Sequence, residues 1–185
     1  KRLSVFLLVF SSLFSLVAQE HPPIQNFSPV DYRAQNQNWG IDQSDEGNIY
    51  VANNGGLLEF NGAIWQLYGS PNGSTIRSVK AVGDKVYTGC YMEFGFWIKN
   101  SKGEQTYHSI SDKLKLELKE DEEFWNILEL DHWVLFQSLE RIYIYNTTDQ
   151  SVTFVDSQST KAHIFNVKGR IYYHGLNQGL YKIED

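Results

Sequence analysis

Asp45-Glu46-Gly47-Asn48-Ile49-Tyr50-Val51-Ala52-Asn53-Asn54-Gly55-Gly56-Leu57-Leu58-Glu59-Phe60-Asn61-Gly62 decides the fold. Asp45-Glu46-Gly47 reads as a turn and Asn48 to Ala52 as a strand. Gly55-Gly56 is a second turn, Leu57 to Phe60 a second strand, and Asn61-Gly62 a third turn before Ile64 to Tyr68. Short β-rich runs punctuated by Gly, Asn and Asp predict hairpins, and helix-length apolar periodicity is missing. In Ile49-Tyr50-Val51 alternate side chains point opposite ways, yet both sets are apolar or aromatic. Such a strand is expected to be covered on both faces, where a half-exposed one would alternate with polar residues.

The same order recurs downstream. Gly47 to Val51 is answered by Asp84-Lys85-Val86-Tyr87-Thr88, by His132-Trp133-Val134-Leu135-Phe136 and by Gly169-Arg170-Ile171-Tyr172-Tyr173. The intervals Tyr50–Tyr87, Tyr87–Leu135 and Leu135–Tyr172 are 37, 48 and 37 positions. Each unit has an upstream strand: Trp39-Gly40-Ile41, Arg77-Ser78-Val79, Trp125-Asn126-Ile127 and Phe165-Asn166-Val167. Each also has a downstream strand: Leu57 to Phe60, Phe94 to Ile98, Arg141 to Tyr145 and Gly179 to Ile183. A period near 40 with about four strands per unit predicts an all-β chain, a partial β-propeller of three blades plus part of a fourth. The blades are expected at about 38–69, 75–111, 123–157 and 162–185, the last incomplete and leaving an open edge that invites association. A β-sandwich is the structural alternative, but it gives no reason for a repeat of this length. Large rings between twisted blades account for an aromatic content of 15%.

The repeat carries a resemblance. Asp45 to Gly62 is similar to the two-component-regulator propeller repeat, which reads roughly D-x-G-N-I-W-V-G-T-x-x-G-L-x-x-F-D-G. Tyr50 stands for its Trp, Ala52 for its Gly and Asn53 for its Thr. Gly175 to Asp185 resembles the second half of the same repeat, and the two middle units match in their strand landmarks. The resemblance covers residues 35–185. It implies that Gly47, Asn48, Tyr50, Gly55, Gly56, Leu57, Phe60, Gly62, Tyr87, Tyr172 and Gly179 are structural repeat positions rather than catalytic ones. It also implies the N-terminal sensor region of a Bacteroidetes-type membrane-anchored regulator. In such proteins a triple-tyrosine domain and a membrane helix follow, then a LuxR-type helix-turn-helix or histidine kinase output. The 185 residues then read as an N-terminal fragment of a longer propeller.

The start of the chain agrees with export. Lys1-Arg2 precedes sixteen uncharged residues, Leu3 to Ala18, the pattern of a secretory signal peptide over 1–18, with a lead-in over 19–34. Leu16 is an imperfect residue for cleavage after Ala18, and a retained anchor is the alternative, although the run is shorter than a spanning helix. Cleavage leaves 14 basic against 22 acidic residues, a mature charge of −8. The mature part is expected at the periplasmic face of the inner membrane, meeting the membrane only through a downstream segment. No basic patch marks a nucleic-acid interface.

Chemistry is sparse. The single Cys90 excludes an internal disulfide and a Cys-cluster zinc site, and it reads as a small buried hydrophobe. His21, His108, His132, His163 and His174 lack the i, i+2 or i+4 spacing of a metal pair, so no metal and no cofactor is expected. Asp42, Asp45 and Gly47 fit a turn rather than a calcium loop. Glu120-Asp121-Glu122-Glu123 reads as a solvated run, with a cation site as the alternative. Leu114, Leu116 and Leu118 alternate with charges, as in an edge strand, although the composition also suits a helix. Asn26, Asn72 and Asn146 head formal glycosylation sequons. Trp65, Trp97, Trp125 and Trp133 belong between blades, or on the surface facing a sugar. The expected function is non-enzymatic sensing of an extracellular ligand, a glycan or a peptide, with a homodimer as a possible arrangement. A propeller glycan hydrolase or lyase, or a passive secreted scaffold, are the alternatives.

Overall fold

The computed structural model describes residues 22–114, 117–157, 161–177 and 179–183. The signal-peptide reading of 1–18 lies outside the described residues. Among the described residues the chain is all-β apart from two short turns of helix. Its strands form four antiparallel sheets, each a simple meander in chain order.

The first sheet is β1 (Asn38–Gln43), β2 (Ile49–Asn53), β3 (Gly56–Phe60) and β4 (Trp65–Gly69). The second is β5 (Ser78–Val82), β6 (Lys85–Cys90), β7 (Glu93–Lys99) and β8 (Gln105–Ser109). The third is β9 (Asn126–Leu130), β10 (Trp133–Gln137), β11 (Arg141–Asn146) and β12 (Val152–Asp156). The fourth has three described strands, β13 (His163–Asn166), β14 (Ile171–Gly175) and β15 (Gly179–Lys182).

Consecutive sheets pack face to face, and their first strands lie side by side: β1 by β5, β5 by β9, β9 by β13. Lys80 on β5 pairs with Asp42 on β1 at 3.0 Å, and the Ala81 amide donates to the same carboxylate. Between the first and second sheets lie Tyr50, Leu57, Val79, Val86 and Trp97. Between the second and third lie Tyr87, Phe94, Phe124, Phe136 and Tyr143, with Phe94 4.5 Å from Phe136 and 4.7 Å from Phe124 between ring centres. Leu135, Ile142, Ile164 and Ile171 join the third to the fourth. Each such buried side chain contributes about 1.5–3 kcal/mol.

The lead-in covers the back of the first sheet. α1 (Pro29–Tyr32) starts where the Ser28 amide donates to Asp31. Its Tyr32 packs with Phe27 and Trp65 over Val51 and Leu58. Of the two readings left open for Leu114, Leu116 and Leu118, the edge strand does not form among the described residues. Ser111–Leu114 is a 3-10 helix whose Leu114 turns into the core beside Phe94, and Leu116 lies outside the described residues. Among the described residues no helix is long and apolar enough to cross a membrane.

Candidate functional site

The site is built where the chain enters the first strands. Trp39 lies at the start of β1, and Arg77 and Trp125 immediately precede β5 and β9, so the three stand at matching places on adjoining sheets. The backbone holds two of them alike, the Arg77 amide donating to Gly89 and the Trp125 amide to Gln137, while Trp39 sits at a register irregularity of β1. The two indoles meet edge to face, 5.9 Å apart at 77°. The Arg77 guanidinium sits in the corner, 4.1 Å from the Trp39 ring centre and 4.8 Å from that of Trp125. Each such contact contributes about 0.5–2 kcal/mol, depending on how dry it is. Glu123 closes the corner with an ion pair to Arg77 at 3.2 Å. Trp39 stays 41% exposed, its indole N–H given to Asn54 at 2.7 Å. Among the described residues, Arg77 Nε and Trp125 Nε1 are buried without a hydrogen-bond partner.

A cleft of about 300 Å³ adjoins this corner, walled by Trp125 and by Glu120, Asp121, Glu123, Leu139 and Glu140. The Tyr91 hydroxyl donates to Asp121, one of its walls, at 2.6 Å. Lys119 also lines the cleft and pairs there with Glu140 at 2.8 Å and Asp156 at 3.6 Å. There the hydrogen bond from Arg141 holds the Asp156 carboxyl below the usual carboxylate range. Aromatic faces with fixed polar groups around them suit a ligand that has an apolar face and many hydrogen-bonding groups.

The acidic run is not uniformly solvated. Glu122 is 5% exposed. It accepts from the Tyr143 hydroxyl at 2.6 Å and the Ser138 hydroxyl at 2.8 Å. Such Tyr–Glu pairs recur: Tyr50 with Glu59 at 3.2 Å and Tyr107 with Glu93 at 2.8 Å. All three lie between sheets. Burial, reinforced by the neighbouring carboxylate, pushes the Tyr50 and Tyr107 hydroxyls far above their ordinary range, and burial with the Glu122 hydrogen bond does so for Tyr143. A phenol held protonated and enclosed in this way serves as a hydrogen-bond donor, not as a nucleophile. Cys90 is 1% exposed, and burial pushes its thiol up to about 11.

The repeat positions scatter through the scaffold. Leu57 and Tyr50 lie in the first inter-sheet core and Tyr87 in the second. Phe60 stacks on Trp65 at 4.8 Å, and Tyr172 is half-buried. Asn48 bonds Glu46 beside the turn at Gly47, Gly62 lies at a bend, and Gly179 opens β15 opposite Gly175. The Gly55 amide donates to Asn53, whose buried side chain reaches back to Gln35, Gln37 and Asn38, fixing the approach to Trp39. Of the four tryptophans read from sequence, Trp97 is buried and bonded to Thr88, while Trp65, Trp125 and Trp133 are half-buried. Sequence reading missed Trp39 and Arg77 as site residues. Their signal was present in the column Trp39, Arg77, Trp125 that the upstream strands form. Among the described residues no group of three or more His, Cys, Asp or Glu could hold a metal.

No protein-family model matches the chain, and no curated protein matches it. Solved structures do. Two structures of the extracellular domain of BT4673 from B. thetaiotaomicron match at a TM-score of 0.57 and 19% identity over 78% of this chain. One assigns BT4673 to a one component system and the other to a hybrid two component system. The likeness is one of fold, and the chain spans 20% of the length of each of those chains.

Proposed function

We propose that the chain is the N-terminal part of an extracytoplasmic sensing β-propeller, belonging to a membrane-anchored regulator whose output lies in further sequence. One observation carries this reading: four successive antiparallel meanders stack with their first strands side by side, as blades around an axis do. The fold match to extracellular domains of regulators supports it, as does the export pattern of Lys1 to Ala18. The ligand, a glycan or a peptide, binds at the Trp39–Arg77–Trp125 corner and its cleft. It acts by favouring one of two states of the receptor. The enclosed Tyr–Glu pairs favour binding over catalysis.

The test uses the complete extracytoplasmic region encoded by the gene, screened on glycan and peptide arrays and followed by titration calorimetry. A ligand is expected whose affinity falls at least about tenfold, roughly 1.4 kcal/mol, in Trp39→Ala, with the variant still folded at the titration temperature by circular dichroism. Absence of any ligand, or a ligand indifferent to Trp39, would overturn the reading. Turnover of a glycan would favour the enzyme alternative.

A further inference from the structure

The sheets are held to one another by a repeated device. In each, the fourth residue pair back from the closing pair of the first hairpin faces the next sheet: Gly40/Ala52, Ser78/Gly89 and Asn126/Gln137. In the first sheet the small pair lets β5 approach, with Val79 3.7 Å from where a Gly40 Cβ would stand. In the second, the Ser78 hydroxyl donates to the Phe124 carbonyl at 2.8 Å. Gly89 there admits Phe124, whose Cβ lies 2.5 Å from the place a Cβ on Gly89 would take. In the third, Gln137 donates to the Ala162 carbonyl and accepts from the Ile164 amide at 3.1 Å, while Asn126 reaches the Ile164 carbonyl. Each pair thus receives the incoming backbone of the following sheet.

On the fourth sheet this pair is His163/His174, directly opposed across β13 and β14 and both exposed. The same face carries Phe165, 46% exposed, and Leu180, 65% exposed. It corresponds to the face of the third sheet that Leu128 and Leu135 bury against Ile164 and Ile171. An imidazole can donate through one nitrogen and accept through the other, as the amides of Asn126 and Gln137 do. In each of the three preceding sheets the occupant of this face is the next sheet of the same polypeptide. We propose that His163 and His174 clasp the first-strand backbone of a fifth antiparallel sheet of the same polypeptide, with Phe165 and Leu180 as its apolar floor. This rests on the larger propeller proposed above, and it assigns the residues that join the next blade.

The experiment compares residues 1–185 with the longest extracytoplasmic polypeptide the gene encodes. Diethyl pyrocarbonate labelling, read by mass spectrometry, is expected to modify both histidines in the short chain and to be reduced at least about tenfold in the long one. His163→Ala and His174→Ala are expected to lower the unfolding midpoint of the long chain and leave that of the short chain unchanged. If the long chain contains further β-repeats but both histidines label as fast as in the short chain, or the substitutions act equally on both, the clasp is wrong while the larger propeller stands. A gene with no further repeat overturns both. Dimerisation of the short chain that shields the pair names a second copy as the occupant and overturns the proposal.

Discussion

Glu122 shows how much one side chain can do in a run of four acids. Its carboxylate takes the hydroxyls of Tyr143 and Ser138 and the amide of Lys119, closing the loop ahead of the third sheet over the core. Glu122→Ala leaves the enclosed Tyr143 hydroxyl without an acceptor and the Ser138 hydroxyl with only the Arg141 carbonyl at 3.3 Å, and about 1–3 kcal/mol of unfolding free energy should be lost in urea titration. A change below about 0.5 kcal/mol would mean the loop is held by other contacts. Nothing local in Glu120-Asp121-Glu122-Glu123 marks which acid turns inward. That choice depends on Tyr143, 21 positions on, so the run reads as solvated. Arg77 was hidden for the same reason, because its indole partners come from two other sheets.

Strands were legible because their ends are written locally. Gly56 opens β3 at φ +140°, and a Cβ there would stand 2.0 Å from the Tyr68 carbonyl oxygen on β4. Gly56→Val combines a backbone conformation that side chains avoid with a collision across the hairpin. The expected loss is at least about 1–3 kcal/mol, measured by denaturant unfolding. The same change at Gly62, also at positive φ but with open space around it, is expected to cost less. Equal losses would contradict the register of β3 against β4. The stretch around Leu114 was not legible in this way. Its alternation of leucine with charge suits a strand, but Leu114 is drawn down by the aromatic cluster of Phe94 and Phe124, and tertiary packing overrides the local pattern.

At the scale of the molecule, the period of the repeat made the number of sheets legible, since each unit must bury both faces against neighbours. How the sheets meet was not, because the clasping pairs Ser78/Gly89 and Asn126/Gln137 differ in kind. The inter-sheet tyrosines make the assembly sensitive to base. Burial, with the Glu59 charge, raises Tyr68 to about 12, and burial lifts Tyr50, Tyr87, Tyr107 and Tyr143 further. Their pKa values are higher folded than unfolded, where tyrosine titrates near about 10. Their contribution is therefore complete below pH of about 10 and falls as pH rises toward the folded values. Melting temperature should be flat from neutral pH to about 9.5 and should drop above about 10; a decline beginning near neutrality would assign the loss to other groups. The central claim is that these sheets are successive blades about one axis. Its most direct test is a crystal structure of the complete extracytoplasmic region. The account predicts β1, β5, β9 and β13 innermost around a common axis, with Trp39, Arg77 and Trp125 together on one rim. Sheets paired as a two-layer sandwich, with those strands on separate edges, would contradict it.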